Sequence, residues 1–211
     1  MATGLVIFDC DGVLVDTEPA ANRVLAACLS ELGVPTTPDE AIRDYKGLSM
    51  KRCVELIEAR RGRPLPDDFV EVVHARTIAA FERGLQPIPH VETALDRIVA
   101  AVCVASSGHH GKMKFTLTRT GLWPRFKGKI FSADDVARGK PAPDLFLRAA
   151  DVMGFAPAEC VVVEDSLPGV QAARAAAMRV LGYTPLGAPG TLAAAGAEVF
   201  HDMRALPALL G

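Results

Sequence analysis

The sequence predicts an α/β protein: a parallel sheet flanked by helices, with an all-α unit inserted after the first strand. Three observations carry this. Short unbroken apolar runs recur along the 211 residues, the signature of strands buried on both faces. Segments of helical period lie between them, as crossovers onto a parallel sheet require. One long region, Glu18 to Gly84, holds only helix signals. With 50% hydrophobic residues, the chain has the apolar material for a packed core, which excludes intrinsic disorder.

The strands predicted, in order, are Leu5–Phe8, Ala101–Ala105, Lys129–Phe131, Cys160–Val163 and Arg179–Leu181, with a last one at Glu198–Phe200. Helix punctuation in the inserted region is explicit. Pro19 opens a helix carrying Val24, Leu25, Cys28, Leu29 and Leu32, and Gly33 stops it. Thr37-Pro38-Asp39-Glu40 reads as a capping box with proline at the first helical position. Ser49 caps a helix through Leu56 and Ile57 that ends near Gly62, and Pro66-Asp67-Asp68 opens one that runs to Gly84. Leu85-Gln86-Pro87-Ile88-Pro89 is the return linker. The expected division is a core from residues 1–16 and 86–211, and a helical domain from 17–85.

Lys+Arg number 23 against 25 Asp+Glu, a formal net charge of −2 with no block of like charges. That excludes a polyanion-binding face for nucleic acid or anionic membrane. Only seven of the basic residues are lysines: Lys46, Lys51, Lys112, Lys114, Lys127, Lys129 and Lys140. The five cysteines (Cys10, Cys28, Cys53, Cys103 and Cys160) form no CxxC pair and fit neither a disulfide framework nor a zinc site. No apolar stretch approaches the ~20 residues that span a bilayer. The Leu5–Phe8 run ends at once in Asp9, unlike a secretory leader. The expectation is a soluble, reduced, cytoplasmic protein, a monomer or weak dimer.

In an open parallel sheet, ligands bind beyond the carboxyl ends of the strands. The residues at those ends are Asp9, Cys10 and Asp11, then Ser106 and Ser107, then Lys140 in GKPAPD, then Glu164 and Asp165. Moving a phosphoryl group onto a carboxylate brings two anions together, so positive charge must sit between them. Magnesium held by carboxylates supplies part of it, a lysine supplies more, and hydroxyls with loop N–H groups cradle the remaining oxygens. A second acid must protonate the leaving alkoxide and then activate water. Asp9 and Asp11 suit those two roles, because residues i and i+2 leaving a strand point to the same side. Singly, each piece has a plainer reading. Ser106-Ser107 would cap the following helix, Lys140 would be a solvated loop lysine, and Glu164-Asp165 would serve a helix dipole. Their order at successive strand ends argues for the joint reading. His109 and His110 follow the serine pair and could reach substrate, although adjacent loop histidines ordinarily face solvent, and Trp123 reads as a packing anchor.

The segments FDCDGVLVDTE (Phe8 to Glu18), VASSG (Val104 to Gly108), GKPAPDLF (Gly139 to Phe146) and VVVEDSLPGV (Val161 to Val170) together resemble the haloacid dehalogenase-like superfamily. The likeness is to its phosphatase and β-phosphoglucomutase-like branch, and covers nearly the whole chain. It implies a Rossmann-like core and a helical cap whose movement opens and closes the site. It also implies Asp9 as a nucleophile that becomes an aspartyl phosphate, and Asp11 as general acid/base with its backbone carbonyl on Mg²⁺. By the same resemblance Ser106 holds the transferring phosphate with Gly12 and Ser107 nearby, Lys140 bridges that phosphate and Asp9, and Glu164 and Asp165 complete a metal site with Asp9 and Asp11. Asp11 favours phosphate chemistry, since dehalogenases of the superfamily lack that second acid. DYKGLS (Asp44 to Ser49) is similar to the segment that senses substrate, which puts Lys46 over the site. The stretch Cys103 to Met113 looks closest to the 6-phosphogluconate phosphatase-like subgroup.

The resulting expectation is a Mg²⁺-dependent phosphomonoesterase acting on a small phosphorylated metabolite, a sugar or sugar-acid phosphate. A sugar-phosphate mutase is the first alternative. Mutases of the branch carry an arginine and a histidine at the places held here by Met50 and Ala21. A phosphoacceptor signalling module is the second, and the helical insertion after the first strand argues against it.

Overall fold

A computed structural model describes residues 3–45, 48–185 and 190–211. The strands are β1 (Leu5–Phe8), β2 (Ala101–Ser106), β3 (Ile130–Ser132), β4 (Cys160–Glu164), β5 (Arg179–Tyr183) and β6 (Glu198–Phe200). They form one parallel sheet in the order β3-β2-β1-β4-β5-β6. Each apolar run singled out in the sequence matches or overlaps one of them, two with identical bounds and four with ends shifted by one or two residues.

Alternation along these strands divides the core in two. Leu5 and Ile7 pack on one face with Cys103, Ala105 and Val162. Val6 and Phe8 pack on the other with Val104, Val161 and Val163. All four β1 side chains are 0% exposed, and each such side chain contributes about 1.5–3 kcal/mol by leaving water.

Among the described residues, four helices form the insert: α1 (Glu18–Glu31), α2 (Pro38–Tyr45), α3 (Met50–Arg61) and α4 (Phe69–Glu82). They pack around their own apolar cluster, which includes Leu29, Tyr45, Ile57, Phe69 and Val73. The local chemistry is as the sequence predicts. Thr37 Oγ1 accepts the Glu40 N–H at 3.2 Å while Glu40 Oε2 accepts the Thr37 N–H at 2.8 Å. Ser49 Oγ accepts the Arg52 N–H, and α3 ends on Gly62 at φ 71°. One boundary differs. Pro66 to Asp68 form a turn closed by the Phe69 N–H on the Pro66 carbonyl at 3.0 Å, so α4 starts at Phe69.

The two chain crossings between core and insert run side by side. Val15 forms an antiparallel bridge with Pro87. Asp16 N–H donates to Gln86 O, and Ile88 N–H donates to Leu14 O, both at 3.0 Å.

The remaining helices cover both faces of the sheet. Those facing Phe8 are α5 (Val91–Arg97), α6 (His110–Arg119) and α7 (Trp123–Phe126). Trp123 packs against that core, with Lys114 Nζ 5.9 Å from its ring centroid. On the Ile7 face lie α8 (Asp144–Met153), α9 (Leu167–Ala175) and α10 (Gly190–Ala194). The chain ends in α11 (Leu206–Leu210), back on the Phe8 side. The path runs outward from β1 through β2 to β3, then crosses to β4. The carboxyl ends of β1 and β4 therefore flank the switch point, where sheets of this kind bind ligands. No helix among the described residues is long and apolar enough to cross a membrane.

Candidate active site

Asp9 leaves β1 still in register with β4, its N–H donating to Val163 O at 2.9 Å. Cys10 turns into the core beside Thr116, and Asp11 returns to the side of Asp9, both lining one cavity of about 550 Å³. From the loop before α8, Lys140 reaches beneath Asp9. Its ammonium donates to Asp9 Oδ1 at 2.7 Å and to Glu164 Oε1 at 2.5 Å, with its side chain 1% exposed. Glu164 Oε2 accepts from the Asp165 N–H, the Ser166 N–H and the Ser166 hydroxyl at 2.8–2.9 Å. Glu164 is thus a buried anchor between the lysine and the start of α9.

Two glycines make room for these acids. A Cβ on Gly169 would overlap the Glu164 carboxylate, and a Cβ on Gly12 would overlap that of Asp165. Gly12 also adopts φ +77°, a conformation open to glycine at little cost.

Asp11 is held by a different pair. Thr17, at the entrance to α1, donates to Oδ1 at 2.6 Å, and Lys112, in the first turns of α6, donates to Oδ2 at 2.8 Å. Burial raises the Asp11 pKa, but the Lys112 charge and these hydrogen bonds outweigh it and hold the carboxyl below its ordinary value. Asp9 goes the other way. Burial, reinforced by Glu164, Asp165 and Asp11 and only partly opposed by Lys140, pushes it up to about 8. Lys140, despite burial, is raised by Asp9 and Glu164.

Of the residues predicted to touch substrate, Ser106 and Ser107 line the cavity. Gly12 and Lys140 do not. The Gly12 N–H donates to Val15 O at 2.8 Å, and Lys140 lies under Asp9. Lys46 lies outside the described residues. The serine pair does not cap the next helix: His109 does so, its Nδ1 accepting the Lys112 N–H at 3.1 Å, while Ser106 Oγ accepts the Gly108 N–H at 3.2 Å. His110 turns outward to Asp135, with Nε2 2.9 Å from Oδ1. His109 instead lines the cavity, as do Met50 and Ala21. Lys112, Thr17 and His74 were not assigned roles from sequence. The rarity of lysine was a usable signal for Lys112. Nothing marks a lone histidine on an insert helix.

The donor set suits a hard divalent cation. Asp9, Glu164 and Asp165 each bring a carboxylate oxygen within 4.8 Å of the others. Four carboxylates, those three and Asp11, face the ammonium groups of Lys112 and Lys140. Burial is the first cause of the raised Asp9 pKa and the neighbouring carboxylates add to it, and a cation among these oxygens would favour the ionised form against both. Oxygen donors of this kind are those that hard cations such as Mg²⁺ and Ca²⁺ take.

A model of the family described as haloacid dehalogenase-like hydrolase matches residues 3–177. The chain belongs to that family. The hydrolase is 32% identical over 176 residues to a 6-phosphogluconate phosphatase of Escherichia coli, covering 83% of this chain and 80% of that one. It is also 32% identical over 180 residues to hexitol phosphatase B of Escherichia coli, covering 82% and 80%. Among solved structures, a haloacid dehalogenase-like protein of unknown function from Agrobacterium tumefaciens superposes with a TM-score of 0.84 at 37% identity, over 98% of this chain and 96% of that one. The hydrolase is an enzyme of the family's phosphatase branch.

Proposed function

We propose that this hydrolase is a Mg²⁺-dependent phosphomonoesterase for a small phosphorylated sugar, sugar acid or sugar alcohol, working through an aspartyl phosphate on Asp9. The observation that carries the reading is Asp9 fixed by Lys140 at the floor of a cavity whose wall bears a second acid, Asp11, and the Ser106-Ser107 pair. Asp9 and Asp165, with the Asp11 backbone carbonyl, would hold the ion, and Glu164 lies beside it. When bound, Mg²⁺ offsets the charge of phosphate and carboxylate so that they can meet.

An Asp9 oxygen attacks phosphorus as the ester P–O bond breaks. In the resting site Lys112 and Thr17 keep Asp11 ionised, so it first takes a proton from solvent as the anionic phosphate arrives. It gives that proton to the departing alkoxide, and then takes one from the water that cleaves the Asp9–phosphorus bond. Ser106 and the N–H groups of its loop hold the phosphoryl oxygens. Lys140 keeps positive charge against the nucleophile. Residues 17–85 act as a cap, and the paired crossings at Val15 and Pro87 serve as its hinge. Met50 and Ala21, at the places where the mutases carry an arginine and a histidine, line the cavity, which supports water as the acceptor over a second sugar phosphate. A cytoplasmic setting agrees with five buried free cysteines.

Phosphate release from p-nitrophenyl phosphate, measured with Mg²⁺, with EDTA and for Asp9→Asn, tests the mechanism. Both treatments are expected to lower the rate by about 10³-fold or more. Full activity under either refutes it.

A further inference from the structure

The cavity holds two histidines that bond cleavage does not use, beside the lysine that holds Asp11. His74 on α4 and His109 at the start of α6 meet across the seam between insert and core. Their ring centroids are 5.2 Å apart at an interplanar angle of 51°, and both line the cavity with Lys112. His109 Nδ1 is occupied as an acceptor of the Lys112 N–H, so its neutral ring carries the proton on Nε2 as a donor. The Lys112 ammonium has three donors, of which one goes to Asp11. His74 is held below the ordinary histidine value, first by burial and then by His109 and Lys112. Around these groups the wall is largely apolar, with Leu25, Met50, Val73 and Phe81, which strengthens any charge interaction made there.

We infer that His74, His109 and Lys112 bind a second anionic group of the substrate, a carboxylate. The enzyme then selects a phosphorylated sugar acid over the sugar alcohol phosphate of the same chain length. The inference rests on the phosphomonoesterase reading above. Two carboxylate oxygens accept several charge-assisted bonds, whereas a hydroxymethyl end offers one neutral oxygen. His74 comes from the insert, and the other two come from the core. The full set therefore exists only while the insert sits over the site, and the carboxylate ties the two halves together. His74 and His109 are specificity residues. They touch the end of the substrate that does not react.

The test is steady-state kinetics with Mg²⁺ on 6-phosphogluconate, glucitol 6-phosphate and p-nitrophenyl phosphate. The proteins are the wild type, His74→Ala and His109→Asn; the asparagine preserves the helix cap while shortening the side chain. A charge-assisted bond distinguishes the two ends by about tenfold or more. The wild type is expected to favour the acid by at least that factor in kcat/KM. In each variant the KM for the acid is expected to rise about tenfold with kcat nearly constant, while the KM for the alcohol changes much less. Equal use of both sugars by the wild type overturns the inference, as do equal KM rises for both in the variants. If only p-nitrophenyl phosphate is hydrolysed, the inference falls and the phosphatase reading stands. If no ester is hydrolysed, both fall.

Discussion

Replacing Gly169 with alanine probes the acid–lysine cluster from a residue that does not line the cavity. The added methyl overlaps the Glu164 carboxylate. That carboxylate has nowhere easy to go. It is 0% exposed and held by Lys140, the Asp165 and Ser166 amides and the Ser166 hydroxyl. Displacing it leaves a buried charge pair broken, at a cost of about 3–5 kcal/mol, against which alanine in a helix returns about 0.5–1 kcal/mol. The net loss of roughly 2–4 kcal/mol corresponds, at about 2–4 °C per kcal/mol for a chain of this size, to a Tm lower by roughly 5–15 °C. Thermal unfolding followed by circular dichroism in EDTA measures the first effect. Phosphate release measures the second, because Lys140 loses one of its two anchors and Asp9 loses its fixed partner. A variant with unchanged or higher Tm and full activity would refute the argument.

The raised Asp9 pKa sets a pH dependence. The folded protein holds a proton on Asp9 up to about pH 8, whereas an unfolded aspartate releases it near pH 4. Between those values the folded state binds more protons, so metal-free stability falls as pH rises through the window. Tm profiles from pH 4 to 9 in EDTA should slope less for Asp9→Asn than for the wild type, and identical slopes would remove Asp9 as the cause. Mg²⁺ should stabilise the wild type in the same assay. At a hundredfold excess over Kd the gain is about 2.7 kcal/mol, or roughly 5–11 °C. It should shrink below pH 8, where the proton competes for Asp9.

The sheet was legible because its strands are buried on both faces and so appear as unbroken apolar runs. Capping chemistry in the insert was equally open to reading: Thr37, Ser49 and Gly62 each carry out a local task that needs no knowledge of the rest. Asp9, Asp11, Ser106, Lys140 and Asp165 could be named because strand ends in a parallel sheet converge. The hidden part depends on contacts between distant segments. Lys112 meets Asp11 across 101 positions, and His74 meets His109 only because the insert folds back over the core. His109 read as a loop residue that could reach substrate but would ordinarily face solvent. It became a helix cap and a cavity wall because the turn after Ser106 is short.

The paired crossings at Val15 and Pro87 bear on how such a protein diversifies. The chain leaves the core and re-enters it through two bridged segments lying side by side, about 5 Å apart as any pair joined by backbone hydrogen bonds must be. A segment whose two ends meet imposes no length or shape on what lies between them. The recognition half can be grafted, trimmed or exchanged between proteins, and the strand ends that perform the chemistry need not shift to accommodate it.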